Sequence, residues 1–264
     1  MYTTMETVTS ADGTRIALER TGAGVPVILV GGAFNDRSTV AALAATLAPE
    51  MTAITYDRRG RGGSGNNDQA FDVDREFDDL AALIDHAGGA ASVFGHSSGA
   101  VLAVQALVRG LPIERLAVYE PSYMPAGTRT RPGPDLYQRL VRLITHGRRD
   151  EAVTLFQTEA VGLPAGMVDG MRASDFWGWF TGLAHTLPYD VAVNRDYLPP
   201  AGLAAVTVPV LAIDGSQSPG WIRAGTRAVA DAVPGARYIT LEGQDHGVLH
   251  HPEALRPVLS AHFG

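Results

Sequence analysis

The sequence predicts a doubly wound α/β fold: a mostly parallel sheet of eight strands, helices on both faces, and a helical cap inserted late in the sheet. Three observations lead there. Short β-rich apolar runs recur along the 264 residues, helical patterns fall between them, and the alternation stops between Pro121 and about Pro209, where only helical patterns remain.

Taken in order, "METVTS" (5–10) and "TRIALER" (14–20), joined through Asp12-Gly13, read as an antiparallel hairpin on the sheet edge. "VPVILVGG" (25–32), "MTAITYD" (51–57), "ASVFGH" (91–96), "RLAVYEP" (115–121), "VPVLAIDG" (208–215) and "ARYITLEG" (236–243) are nearly continuous in apolar residues, as parallel strands covered on both faces are. Helical patterns fall near 38–48, 72–87, 98–109, 222–232 and 253–262. The interrupted stretch reads as helices over 135–146, 149–160, 164–172 and 175–187, its edges punctuated by prolines that include Pro188. The division is therefore a core of residues 1–121 and 208–264 and a helical cap of 122–207.

Composition narrows the partners. With 21 basic against 28 acidic residues, the formal charge is −7, which works against binding a phosphate backbone, so no nucleic acid is expected. Cysteine is absent, which removes disulfides and thiolate chemistry. The first twenty residues lack a secretory pattern and "VPVILV" is far too short to span a membrane, so a cytoplasmic protein without a membrane partner is expected. Neither a metal-ligand cluster nor a phosphate or dinucleotide loop is visible, and no cofactor is expected. Nothing in the sequence specifies an oligomeric state. A small molecule is the expected partner: Tyr123, Met124 and the run "DFWGWF" with Trp177 and Trp179 supply aromatic and apolar surface for a pocket in the cap, although such residues equally build a cap's own core.

The stretch "FGHSSG" matches G-x-S-x-G after a predicted strand and at the start of a predicted helix, the context that motif requires. Gly95 and Gly99 flank Ser97, so Ser97 rather than Ser98 sits at the sharp turn, and the Ser98 backbone N–H then faces a developing oxyanion. A serine capping the helix is the plainer alternative.

From these residues the chain resembles the α/β-hydrolase family over nearly its whole length. "YDRRGRGGSG" (56–65) is similar to the family's Gly-rich turn after the fourth strand, and "LEGQDHGVLHHPEAL" (241–255) to the segment that presents its catalytic histidine. The resemblance implies His246 as the base, following the serine in the family's chain order. His96 is then a packing residue, and His250 and His251 are surface or capping residues. The loop "LVGGAF" has Gly31 where relatives commonly carry histidine, and the likeness implies the Ala33 amide as second oxyanion donor, with Phe34 beside the substrate.

The acid departs from the commonest pattern, because the position three residues after Gly215 is Ser218. Glu120, ending the strand after the nucleophile helix, is preferred because some branches of the family, such as certain haloalkane dehalogenases, place a carboxylate there. Asp214 is the alternative acid, and Asp245, next to His246, tends to face away. Arg58, Arg59 and Arg61 are expected to brace their loop through local hydrogen bonds. The resemblance implies a serine hydrolase acting on an ester, lactone or thioester of a largely apolar small molecule. The alternatives are a non-hydrolytic enzyme on the same fold (cyclase, lyase or acyl transferase) and a ligand-binding protein that has lost turnover.

Overall fold

The computed structural model describes residues 3–67 and 70–264. Strands β1 (Thr3–Thr9) and β2 (Arg15–Gly22) form the expected hairpin, its turn closed by the Asp12 carboxylate, which accepts the Thr14 N–H at 2.9 Å. The chain continues through β3 (Val25–Val30), α1 (Ala41–Leu47), β4 (Met51–Tyr56), α2 (Asp74–His86), β5 (Ala91–His96), α3 (Ser98–Val108) and β6 (Ile113–Tyr119). Five α-helices then intervene: α4 (Leu136–Thr145), α5 (Arg149–Leu155), α6 (Ala165–Arg172), α7 (Trp177–Leu183) and α8 (Leu187–Val193). Strand β7 (Val210–Gly215), α9 (Gly220–Ala232), β8 (Arg237–Leu241) and α10 (Pro252–Phe263) complete the chain.

The eight strands pair in the order β1-β2-β4-β3-β5-β6-β7-β8, parallel except where β2 meets β1 and β4. Strands β4, β5 and β7 are buried at every position, which explains why their sequences show apolar runs instead of alternation. One face packs Phe77, Leu80, Leu83 and Ile84 of α2 together with α3 and Val229 of α9; the other packs Leu43 and Leu47 of α1 with Leu255, Leu259 and Phe263 of α10. Each such side chain, fully buried, contributes about 1.5–3 kcal/mol relative to exposure. A third apolar cluster, built from Leu136, Leu140, Val153, Trp177, Leu183 and Leu187, holds the intervening helices together and takes in Phe34 from the loop after β3.

Strand order reverses around β3, whose neighbours are β4 on one side and β5 on the other. The loops leaving β3 and β5 therefore face each other across the crevice where open α/β sheets bind ligands.

Two departures from the sequence reading matter for the site. The helix expected over 175–187 is shorter: α7 ends at Leu183, a 3-10 turn (Ala184–Thr186) follows, and a separate helix, α8, begins at Leu187 and carries Pro188 in its first turn, where the missing N–H would have had no helical partner anyway. The helix expected over 149–160 changes at Phe156 into a π-helical turn, Phe156–Val161. Gly162 ends that turn in the left-handed region (φ 84°), and the Arg129 guanidinium donates to the carbonyls of Glu159, Ala160 and Val161. A contact from so far along the chain leaves no local pattern.

Candidate active site

Ser97 joins β5 to α3 with φ 57° and ψ −124°, a conformation costly for a side-chain-bearing residue. Its neighbours permit it. A Cβ at Gly99 would lie 2.5 Å from the Gly31 carbonyl oxygen, so only glycine lets α3 start this close to the loop after β3. The Ser97 amide stays on the sheet ladder, donating to the Tyr119 carbonyl at 3.0 Å, which fixes the turn from which its hydroxyl projects.

That hydroxyl lies 3.1 Å from Nε2 of His246, and Nδ1 of His246 lies 2.7 Å from Oε2 of Glu120. Glu120 is fully buried, and its other oxygen accepts the Gly215 N–H at 2.8 Å. Its own amide donates to the Ile213 carbonyl at 3.1 Å while its φ of 47° turns the side chain away from the strand direction. The carboxylate is thus held from two strands. With an acceptor on Nδ1, the neutral imidazole keeps its proton there and offers Nε2 to the serine.

The other acids are engaged elsewhere. Asp214 remains in strand β7 and receives the Tyr238 hydroxyl and, at 3.3 Å, Nε of Arg223. Asp245 accepts the Gly247 N–H, and its carbonyl accepts the Tyr119 hydroxyl at 2.6 Å. Ser218, at the position where an acid is more usual, is buried, and among the described residues its hydroxyl has no partner. His96 lies between Tyr119 and His246, and its Nε2 donates to the His246 carbonyl at 3.0 Å. Burial, then the neighbouring His246, pushes its pKa down to about 3, so it is a neutral support for the histidine loop.

Ala33 and Ser98 both border the chamber in front of Ser97, and among the described residues neither backbone N–H is taken by a hydrogen bond. What holds the two segments in place is a buried charge network that sequence reasoning missed. Arg58 donates to both oxygens of Glu76 (2.5 and 2.6 Å), to Asp190 Oδ1 (2.7 Å) and to the Gly31 carbonyl (3.3 Å). Arg61 donates to Asp190 Oδ2 (2.9 Å) and to the carbonyls of Gly32 (2.5 Å) and Asn35 (3.0 Å). The Ser98 hydroxyl donates to Asp190 Oδ1 at 2.7 Å.

Two cations therefore face two carboxylates, and Asp190, from α8, bonds the Ser98 hydroxyl directly and reaches the loop that carries Ala33 through Arg58 and Arg61. Burial opposes its ionisation, but Arg61 and Arg58 with the Ser98 hydroxyl outweigh it and hold its pKa below the ordinary carboxylate value. The expectation that Arg58, Arg59 and Arg61 act locally is corrected: their partners include Glu76, Asp79 and Asp190, far away in sequence. The one advance signal for Asp190 was that Pro188 is as compatible with a helix start as with a stop.

A cavity of about 660 Å³ opens over Ser97 and His246, walled by Phe34, Met124, Phe156, Val161, Leu163, Val191, Trp221 and Ile222. Phe34 and Met124 were expected there; Tyr123, Trp177 and Trp179 are not on its wall. Tyr123 turns the other way, into the core beneath, where it is fully buried. Trp177 packs within the helical cluster with its indole N–H on Asp150, and Trp179 is 43% exposed, its N–H donating to the Phe34 carbonyl. The aromatic run thus joins helices to one another and to the loop below, without reaching the chamber.

A crevice at the strand-order reversal, a strained serine at its strand-to-helix turn and an imidazole backed by a carboxylate are what this fold class uses for acyl chemistry. The alpha/beta hydrolase family model matches residues 27–258, and the chain belongs to that family. An alpha/beta hydrolase from Sphaerobacter thermophilus is 50% identical, with a TM-score of 0.91, over 98% of this chain and 100% of that one. A thermophilic esterase from Thermogutta terrifontis shares the fold at 22% identity and a TM-score of 0.72, over 98% of this chain and 97% of that one. An uncharacterized hydrolase of Bacillus subtilis, YraK, is 34% identical over 100 residues, and that match spans 37% of each protein. The family model and the 50% identical alpha/beta hydrolase support a hydrolase with a small-molecule substrate. Among the described residues no helix is long and apolar enough to cross a membrane.

Proposed function

We propose that the protein is a serine hydrolase that cleaves an ester, lactone or thioester of a largely apolar small molecule. The carrying observation is the unbroken series from the Ser97 hydroxyl through His246 to Glu120, with spacings of 3.1 and 2.7 Å, under an apolar chamber. In this reading His246 takes the Ser97 proton as the serine attacks the acyl carbon, and Glu120 orients and stabilises the resulting imidazolium. The Ala33 and Ser98 amides hold the oxyanion, and the Arg58–Asp190–Arg61 network keeps them in position. The proton passes from His246 to the leaving group, and water then clears the acyl-enzyme by the same path.

Residues 122–207 act as a cap over a core of 1–121 and 208–264, and the absence of cysteine suits a cytoplasmic setting. The intact series favours serine acyl chemistry over a cyclase or lyase that uses only the pocket and over a binding-only protein, because neither of those needs an activated serine; an acyl transferase would form the same acyl-enzyme and differ only in the acceptor that clears it.

A fluorophosphonate probe tests the reading directly. It is expected to label Ser97, with labelling and ester hydrolysis both abolished in Ser97→Ala, a loss on the order of a millionfold in turnover. An unlabelled Ser97, or a Ser97→Ala protein that still turns substrate over, would exclude it.

A further inference from the structure

We propose that Gln157 pairs with a neutral polar group of the substrate, so that the chamber prefers uncharged acyl compounds carrying a keto, hydroxyl, ether or amide function over plain alkyl esters. This rests on the hydrolase reading and adds a substrate class to it.

The polar side chains lining the chamber beyond Ser97 and His246 are few. Asp190 is bonded by Arg58, Arg61 and Ser98. The Asn194 amide nitrogen donates to the Ser122 carbonyl and hydroxyl, at 2.7 and 3.1 Å; its oxygen and the Tyr197 hydroxyl have no partner among the described residues, but both atoms are buried out of reach of a bound molecule. Gln157 differs. It lines the cavity, its side chain is 95% buried (5% exposed), and among the described residues its amide makes no hydrogen bond, although it is not sealed off as the Asn194 oxygen is.

The backbone places it there deliberately. A π-helix closes its turn one residue later than an α-helix, so residues 156, 157, 160 and 161 share a face, and all four line the chamber. The turn is held by Arg129, which donates to its last three carbonyls and stacks over the Trp221 ring on the chamber wall. A primary amide facing the cavity among Phe156, Val161 and Leu163 offers both a donor and an acceptor to a bound molecule.

Charge narrows the class further. No Arg or Lys is among the residues that line the chamber, and the one lining carboxylate is already saturated. A carboxylate held away from Ser97 would be stripped of water with no cation to receive it. A neutral donor or acceptor matches the amide, which offers both.

The test compares p-nitrophenyl heptanoate with its 4-oxo, 5-oxo and 6-oxo analogues, each corrected for spontaneous hydrolysis. The wild-type kcat/KM is expected to favour at least one oxo ester by about three- to tenfold, the net worth of one neutral hydrogen bond. Gln157→Leu, nearly equal in size, should bring the oxo-to-plain ratio of kcat/KM to near one, and Gln157→Met provides a second variant if the first folds poorly. An unchanged preference, or an equal loss on every ester, overturns the assignment. Calorimetric binding of the corresponding methyl esters to Ser97→Ala gives a readout free of turnover. If wild-type enzyme hydrolyses none of these esters and the fluorophosphonate leaves Ser97 unlabelled, the hydrolase reading fails by itself; the Gln157 assignment then stands only if the oxo ester still binds more tightly than the plain one and Gln157→Leu removes the difference.

Discussion

The floor of the chamber and its roof are built on opposite principles. The floor, formed by the ends of β3, β5, β6 and β7, holds three non-glycine residues with positive φ, Phe34, Ser97 and Glu120, and hydrogen bonds run from Ser97 through His246 to Glu120 and on to the Gly215 N–H. Such backbone conformations cost on the order of 1–3 kcal/mol each and persist only where the surroundings over-determine them. The roof, from the helices after β6, presents Phe156, Val161, Leu163 and Val191 together with the Gln157 amide. Position is enforced where protons and charge would move, and shape suffices where a hydrocarbon is to be held. The two halves are tied by few polar contacts, chiefly Asp190 to Arg58, Arg61 and Ser98, Trp179 to the Phe34 carbonyl, and His185 to the Gly60 carbonyl at 2.6 Å.

The largest expected effect separates two acids within the floor itself. Strands β6 and β7 are paired, and the chain just past one and the end of the other each carry a fully buried carboxylate, Glu120 and Asp214. Glu120 leaves the strand direction and meets His246; Asp214 stays in it and meets Tyr238 and Arg223. In the proposed hydrolase, Glu120→Gln lowers kcat by about 10⁴-fold with KM little changed, as loss of the orienting carboxylate does in serine proteases. Asp214→Asn stays within a few-fold of wild type. Steady-state kinetics on one chromogenic ester decides it, and the reverse ranking would make Asp214 the acid.

The tie between floor and roof is the next place to break. Asp190→Asn leaves Glu76 on Arg58 and no carboxylate on Arg61, and an unbalanced buried charge costs about 3–5 kcal/mol. Urea unfolding should show that loss. The Ser98 amide would lose its anchor as well, and kcat should fall by up to about 10²-fold, the usual worth of one oxyanion donor. A destabilisation below about 1 kcal/mol with unchanged kcat would mean that the roof helices do not help to set the floor.

The same division governs how much could be read in advance. The floor was legible in part because its signals are local: continuous apolar runs mark the strands, and glycines on either side of Ser97 mark the turn. The histidine, the Ala33 loop and the preference for Glu120 over Asp214 came from likeness to a family. In the roof, the helices were legible and their roles were not. Trp177 and Phe156 have the same composition signal, yet one fills the helical cluster and the other reaches the cavity as well. The π-turn that presents Gln157 depends on Arg129, and Asp190 matters only because α8 carries it to two arginines from the loop after β4. Both are consequences of tertiary contact, which periodicity does not encode.

The smallest expected effect lies at Tyr123 and Met124, adjacent residues that the structure turns in opposite directions. Tyr123 is fully buried in the core beneath the chamber, and among the described residues its hydroxyl has no hydrogen-bond partner. Burial pushes its pKa well above the ordinary phenol value, so the group is a neutral, unsatisfied hydroxyl. Tyr123→Phe removes that hydroxyl without changing the ring, and should leave kcat/KM within about twofold and stability unchanged or raised by up to about 1 kcal/mol. Met124 lines the cavity, so Met124→Ala should raise KM for long-chain esters while leaving short ones nearly unaffected, because only the longer chains reach the space the thioether fills. A Tyr123→Phe variant with altered chain-length preference would put that ring on the chamber wall and move the boundary between core and substrate site by one residue.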